Sequence, residues 1–352
     1  MSRDGSFSAA GTAGIEVRSE ILQAITAFRL PVIIAHVVPD ADALGSMFAI
    51  ARTWPGPVGT AKVSLPAGSL SQRLAFLFER AQVTVASTED FDRADGFVVF
   101  DTAKKPRCNV GPTLKETDWS ANRPLINIDH HATNTRFGTV NWVVEDASSA
   151  SELAFHLIVA ARRKIDSVTA SLLYAGIQTD TLGFSLASSR PSALRAAAEL
   201  IELGADVGEL GERLWRSHTQ GEFELLRVVY ANTRTAAGGR LAYSFLSYED
   251  IQNAGCTAAD IDDQISVPRS LSGVQLAILF SEGNRGKTRI NFRGSGPVEV
   301  VELAANFKGG GHLQAAGAIL DCGLHEAIRR VLPAAEEQLL RFAFGFAGDG
   351  AT

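Results

Sequence analysis

Three largely apolar runs, each passing straight into aspartate or histidine, limit the folds open to this chain. Pro31-Val-Ile-Ile-Ala35 leads into His36-Val-Val-Pro-Asp40-Ala-Asp42. Gly96-Phe-Val-Val-Phe100 leads into Asp101-Thr102, and Pro124-Leu-Ile-Asn-Ile128 into Asp129-His130-His131. Apolar runs without alternation read as strands buried on both faces, the mark of parallel sheets covered by helices. Helix-forming stretches lie between the runs, from Ala43 to Thr53 and around Gln72 to Arg80. Lys62-Val-Ser-Leu65 and Val83-Thr-Val-Ala86 read as weaker strands. Strands alternating with helices predict an α/β domain with a parallel sheet.

In open α/β sheets, ligands bind beyond the carboxyl ends of the strands. Parallel pairing would therefore deliver His36, Asp40 and Asp42, then Asp101, then Asp129 and His130 to one rim. A fourth cluster, Gln178-Thr179-Asp180, ends a helical segment and can reach the same rim. A single Asp after a strand needs only a turn to explain it. Four clusters carrying three histidines need more. Mixed carboxylate and imidazole donors suit Mn²⁺ or another transition metal better than Mg²⁺. The donors outnumber what one ion requires, so the expectation is a pair of divalent cations in a hydrolase. Neighbours on an extended backbone point opposite ways. His130 and His131 are thus expected to divide the work, one ligating metal and one facing substrate, with Asp129 orienting a histidine.

The 352 residues are enough for two or three domains, and 46% apolar with 20% charged residues is the composition of an ordinary globular protein. A formal net charge of -6 argues against a general binder of long duplex nucleic acid. Cys108, Cys256 and Cys322 are too scattered for a disulfide framework, which points to a reducing, cytoplasmic setting. No apolar run approaches the roughly 20 residues of a membrane span. Residues 1–14, rich in Gly, Ser and Ala, read as a floppy tail.

From Ser149 the pattern turns helical. Ser149-Ala-Ser-Glu152 resembles a capping box. Helices are expected over Ser167 to Gln178, Pro191 to Leu203 and Asp206 to Arg216, and His156 is expected to be packed. From about Thr233 strands return, over Arg240 to Leu246, Gly273 to Phe280 and Lys287 to Phe292. A helix over Pro297 to Phe307, a sharp loop at Gly309-Gly-Gly-His312 and a terminal amphipathic helix over Leu324 to Phe342 complete a smaller α+β domain. Consecutive glycines let backbone amides approach an anion. Gly310, Gly311 and His312 are accordingly candidate phosphate contacts, with Arg269, Arg289, Arg293 and Lys308 nearby in the same domain and arginine suited to phosphate. The expected division is a tail over 1–14, a catalytic domain over 15–190, a helical connector over 191–232 and a substrate-binding domain over 233–345. Exposed apolar surface on the connector could support a homodimer.

At these residues the chain resembles the DHH phosphoesterase superfamily. Its motifs stand here as His36-Val-Val-Pro-Asp-Ala-Asp-Ala-Leu-Gly-Ser46, Asp101-Thr-Ala103, Asp129-His-His131 and Asp180, and that of its associated C-terminal domain as Gly309-Gly-Gly-His312. Size and C-terminal domain are similar to the nano-RNase branch, which acts on short oligoribonucleotides and on adenosine 3′,5′-bisphosphate. The resemblance implies one Mn²⁺ on His36, Asp40 and Asp101 and a second on Asp42, Asp101, His130 and Asp180. It implies that His131 faces the scissile phosphate, and that His312 and Arg293 hold substrate. An inorganic pyrophosphatase is the rival hydrolase, but it needs a C-terminal domain dense in Lys and Arg. A non-catalytic nucleotide sensor would be expected to lose a ligand, and every ligand position is filled.

Overall fold

A computed structural model describes residues 15–345 apart from 58, 116–117, 258–259 and 312. The tail expected over 1–14, and His312, lie outside the described residues. The described chain divides into two compact units, the first built largely from residues up to Gly211 and the second largely from Glu212 onward.

Five parallel strands form the first unit's sheet: β1 (Pro31–Ile34), β2 (Lys62–Val63), β3 (Gly96–Phe100), β4 (Leu125–Asp129) and β5 (Val140–Val143). Their order is β2-β1-β3-β4-β5. Every residue of β1, β3 and β4 is buried, which is why these strands read as apolar runs. Each fully buried Val or Ile there contributes about 1.5–3 kcal/mol of transfer free energy. Val83 to Ala86 contributes only one bridge, Val85 to Val63. The strand β5 was not expected; of its side chains only Trp142 is buried, so its sequence carries little apolar signal.

Helices in chain order are α1 (Ser19–Ala27), α2 (Ala41–Thr53), α3 (Ala75–Ala81), α4 (Thr88–Arg93), α5 (Pro112–Lys115), α6 (Ala150–Ala160), α7 (Ser167–Asp180), α8 (Pro191–Glu202) and α9 (Val207–Trp215). The helices α2, α6 and α7 pack on one another, and α2 and α6 also touch the sheet. Two glycines permit the close approach. A Cβ on Gly45 of α2 would lie 2.4 Å from the Leu172 carbonyl oxygen of α7, and one on Gly176 of α7 would lie 2.0 Å from Ser151 Oγ of α6. The chain crosses from β2 to β3 on opposite sides of β1, so the sheet's topological switch lies between β1 and β3. Ligands of such sheets collect at that point.

The second unit holds α10 (Gln220–Asn232), β6 (Arg234–Ala236), β7 (Leu241–Leu246), α11 (Tyr248–Asn253), α12 (Ser266–Arg269), β8 (Leu276–Asn284), β9 (Lys287–Gly294), α13 (Val301–Ala305), β10 (Gly310–Gly311), β11 (Ala315–Leu320) and α14 (Leu324–Gly345). Its mixed sheet runs β10-β11-β9-β8-β7-β6. Alternation along β8 sorts the two cores. Ile278 and Phe280 join Phe292 and α14 residues Val331 and Leu339, whereas Ala277 and Leu279 join Leu225 and Val229 of α10. The expected helix over Pro297 to Phe307 shortens to Val301–Ala305. The expected loop at the glycines is instead an edge strand, β10, paired antiparallel to β11. A Cβ on Gly309 would sit 2.2 Å from the Gly317 carbonyl oxygen, and one on Gly311 2.4 Å from that of Ala315. Close backbone approach to β11 is therefore sufficient reason for two of these glycines.

Candidate metal centre

Local backbone chemistry sets each donor. Asp40 caps α2: its Oδ1 accepts from the amides of Asp42 (3.1 Å) and Ala43 (3.0 Å). Such a cap is worth about 1 kcal/mol, and it leaves Oδ2 3.8 Å from His36 Nε2. The His36 ring is tied back through Nδ1 to its neighbour's carbonyl, Val37 O, at 2.9 Å. That bond puts a proton on Nδ1 and turns Nε2 towards the carboxylates. Asp101 directly follows β3 at a positive φ of 49°, a conformation Asp tolerates better than most residues, with its amide donating to Ile128 O at 3.0 Å.

Asp101 links two groups of donors. Its Oδ2 lies 3.3 Å from His36 Nε2, and its Oδ1 lies 3.4 Å from His130 Nε2. The first group is His36, Asp40 and Asp101; their donor atoms all lie within 4.8 Å of one another. The second is Asp42, His130 and Asp180, equally close. Within it, His130 Nε2 is 4.0 Å from Asp42 Oδ2 and 3.7 Å from Asp180 Oδ2. His131 follows His130, and a ring nitrogen of it groups with donor atoms of Asp101, Asp129 and His130 at the same limit. The six residues expected to ligate metal are thus brought together.

Charge crowding tests whether the cluster fits a cation. Burial, then the charge of Asp101, pushes the Asp42 carboxyl far above the usual carboxylate range. Burial, then the charges of Asp42, Asp40 and Asp101, raises Asp180 as well, against the opposing pull of His130. Burial alone would lower both imidazoles, but Asp101 and Asp40 at His36, and Asp101, Asp180 and Asp42 at His130, outweigh it and hold both well above their ordinary value. So many close carboxylates require positive charge beside them. Divalent cations would supply it to the same atoms, and the mixed oxygen and nitrogen donor set fits them.

Asp129 is fully buried at the end of β4. Its Oδ1 accepts the His130 amide at 2.9 Å, and its Oδ2 accepts from Asn134 Nδ2. Asn134 also donates to Asn127 Oδ1 (2.8 Å) and Thr102 O (3.2 Å). This network escaped the sequence reading; its one visible sign was Asn127, a polar residue inside an apolar run. Asp42 is held from outside too, as Ala150 N and Ser151 N donate to its two oxygens at 2.7 and 2.8 Å. The capping box at Ser149 is half present. Ser149 Oγ accepts from Glu152 N at 3.0 Å, but the Glu152 carboxylate binds Ser148 instead. His156 packs beside Phe155 and lies 4.0 Å from buried Glu152.

In the second unit, Arg289, Asn291 and Arg293 alternate along one face of β9 while Ile290 and Phe292 enter the core. Arg289 Nε donates to Asn291 Oδ1 at 3.3 Å. Across the sheet half-buried Arg293 pairs with Ala315, and buried Asn291 with Gly317. Gly310 and Gly311 lie in the same sheet, and half-buried Arg269 ends α12.

A parallel α/β sheet with two adjoining donor groups at its switch point defines a metal-site domain, here followed by a mixed-sheet domain. Comparison with known proteins gives the family. The DHH family N-terminal domain matches residues 31–177, and the DHHA1 domain matches residues 238–340. The bifunctional oligoribonuclease and PAP phosphatase NrnA of Thermus thermophilus is 30% identical over 328 residues, 93% of this chain and 94% of that protein. The protein of the same name from Bacillus subtilis is 27% identical over 309 residues, 86% of this chain and 93% of that protein. An exopolyphosphatase-related protein from Bacteroides fragilis shares the fold, with a TM-score of 0.79 at 23% identity over 91% of this chain and 96% of that one. The chain belongs to the DHH family and carries the associated DHHA1 domain. Among the described residues no helix is long and apolar enough to cross a membrane, and the three cysteines are free thiols.

Proposed function

We propose that this protein is a metal-dependent phosphoesterase that hydrolyses short oligoribonucleotides to mononucleotides and adenosine 3′,5′-bisphosphate to AMP. The observation that carries the proposal is the division of one carboxylate, Asp101, between two histidine-containing donor groups. Two Mn²⁺ ions would be held by His36, Asp40 and Asp101 and by Asp42, Asp101, His130 and Asp180. Bound there, they would supply a water of lowered pKa and positive charge for the phosphoryl oxygens. Asp129 would act on this site by fixing the backbone at His130. His131 would face the scissile phosphate as a donor to its oxygens. Arg293, Arg269, Gly310, Gly311 and His312 would bind the rest of the nucleotide. The relatives' printed names support this substrate class. A cytoplasmic setting and a homodimer belong to the same reading; light scattering of the purified protein tests the second.

A pyrophosphatase with the same metal donors is the competing activity. Purified protein with Mn²⁺ is assayed against a 5′-phosphorylated diribonucleotide, adenosine 3′,5′-bisphosphate and pyrophosphate. The proposal expects turnover of the first two. Cleavage of pyrophosphate alone would replace it, and no turnover of any of them would favour a binding protein.

A further inference from the structure

The helix α6 starts deep in the core, and its first turn spends its polar groups on the metal site. Ser148, Ser149, Ala150, Ser151 and Glu152 are each 1% exposed or less. The amides of Ala150 and Ser151 grip Asp42, and Ser151 Oγ donates to the Asp42 carbonyl at 3.2 Å. Two residues before Ser149, Ala147 O lies 3.3 Å from His130 Nδ1, the bond that turns Nε2 inward. One short turn therefore holds two of the three side chains of the second donor group from behind. It makes no such bond to His36 or Asp40 among the described contacts.

The turn is itself tied by Glu152. Its Oε2 accepts from Ser148 N and Ser148 Oγ, both at 2.7 Å, and its Oε1 is buried with no hydrogen-bond partner. That oxygen faces His156 Nε2 at 4.0 Å, beyond hydrogen-bond reach, and a fully buried carboxylate so sparsely bonded is costly. The hydrogen bonds it does make clamp Ser148, the residue that follows Ala147. We propose that Glu152, through Ser148, is a positioning residue for the second cation: it fixes the Ala147–Ser151 turn that orients His130 and Asp42. This deepens the two-cation reading above and rests on it.

The test is Mn²⁺ binding to the demetallated full chain by calorimetry and electron paramagnetic resonance, on wild type, Glu152→Ala, Glu152→Gln and Ser148→Ala. Wild type is expected to bind two ions. Glu152→Ala should lose about tenfold or more in affinity at one site, the scale of outer hydrogen-bond partners of metal ligands, with the other site unchanged. Glu152→Gln keeps an acceptor for Ser148 and should restore two-site binding. Ser148→Ala removes one of the two bonds and should weaken the same site by a few-fold; it decides the matter if Glu152→Ala does not fold. Unchanged affinity at both sites in Ser148→Ala and in folded Glu152→Ala overturns the proposal, as does equal weakening of both. Wild type that binds no Mn²⁺ would remove the two-cation reading itself, and this inference with it.

Discussion

Gly176 offers the sharpest test of how the helices build the site. It lies four residues before Asp180 on α7, so both face the same way. A methyl group there would sit 2.0 Å from Ser151 Oγ, 2.7 Å from Ser151 Cβ and 2.8 Å from Asp42 Oδ1. Relief needs a displacement of roughly 1 Å or more, since non-bonded atoms prefer about 3.5–4.0 Å. In Gly176→Ala, overpacking costs about 1–3 kcal/mol, while alanine's better helix propensity returns about 0.8–1.0 kcal/mol. The metal-free protein should thus lose no more than about 2 kcal/mol, a fall in Tm of several degrees at about 2–4 °C per kcal/mol for a domain of this size. The metal site should suffer far more, because the methyl pushes Asp42 off the α6 amides. Mn²⁺ affinity at the second site should fall about 10–100-fold, and turnover of a diribonucleotide with it. Melting curves with and without Mn²⁺ separate the two effects. Gly211→Ala in α9 is the control: its methyl meets nothing within 4 Å, so it should keep both stability and turnover. If Gly176→Ala binds Mn²⁺ and turns over like wild type, the packing argument is wrong.

Three further outcomes follow from the geometry. Asp101→Asn keeps the shape but withdraws the shared charge, so turnover should drop by more than about 100-fold, since metal-held charge stabilisation is worth several kcal/mol; steady-state kinetics at saturating Mn²⁺ checks this. Asp42, Asp180, His36 and His130 all hold their protons more tightly folded than unfolded. The stability they give the metal-free protein is therefore full in acid and is lost as pH rises from about 4 through neutrality. Mn²⁺ competes for the same atoms, so its affinity should climb over that window; melting and titration between about pH 5 and 8 read both trends. Arg293→Ala should raise KM for an oligoribonucleotide about 10–150-fold, as loss of a charged hydrogen bond costs about 1.5–3 kcal/mol, with little change in Mn²⁺ binding.

The strands that carry the donors were legible because parallel, doubly buried strands leave continuous apolar text. β1, β3 and β4 are of that kind, and each delivers its carboxylate or imidazole where the run stops. The unexpected strands carry weaker signals. Ala315-Ala-Gly-Ala-Ile-Leu320 of β11 is built from small residues of low strand propensity, selected by close packing against β10 rather than by its own preference. The glycines at 309–311 looked like a turn for the same reason: spacing in sequence does not reveal which backbone a missing Cβ makes room for. The donors were found as residue types. Their supports were not, because Asn134, Ala147, Ser151 and Gly176 act through contacts that only the folded chain creates and that leave no periodicity.

Anomalous X-ray diffraction from crystals grown with Mn²⁺ tests the central claim most directly. Two manganese peaks should flank the Asp101 carboxylate, one beside His36 and Asp40 and one beside His130, Asp42 and Asp180, about 3.5–4 Å apart as in other paired-cation hydrolases. A single peak, or two that do not share Asp101, would contradict the account.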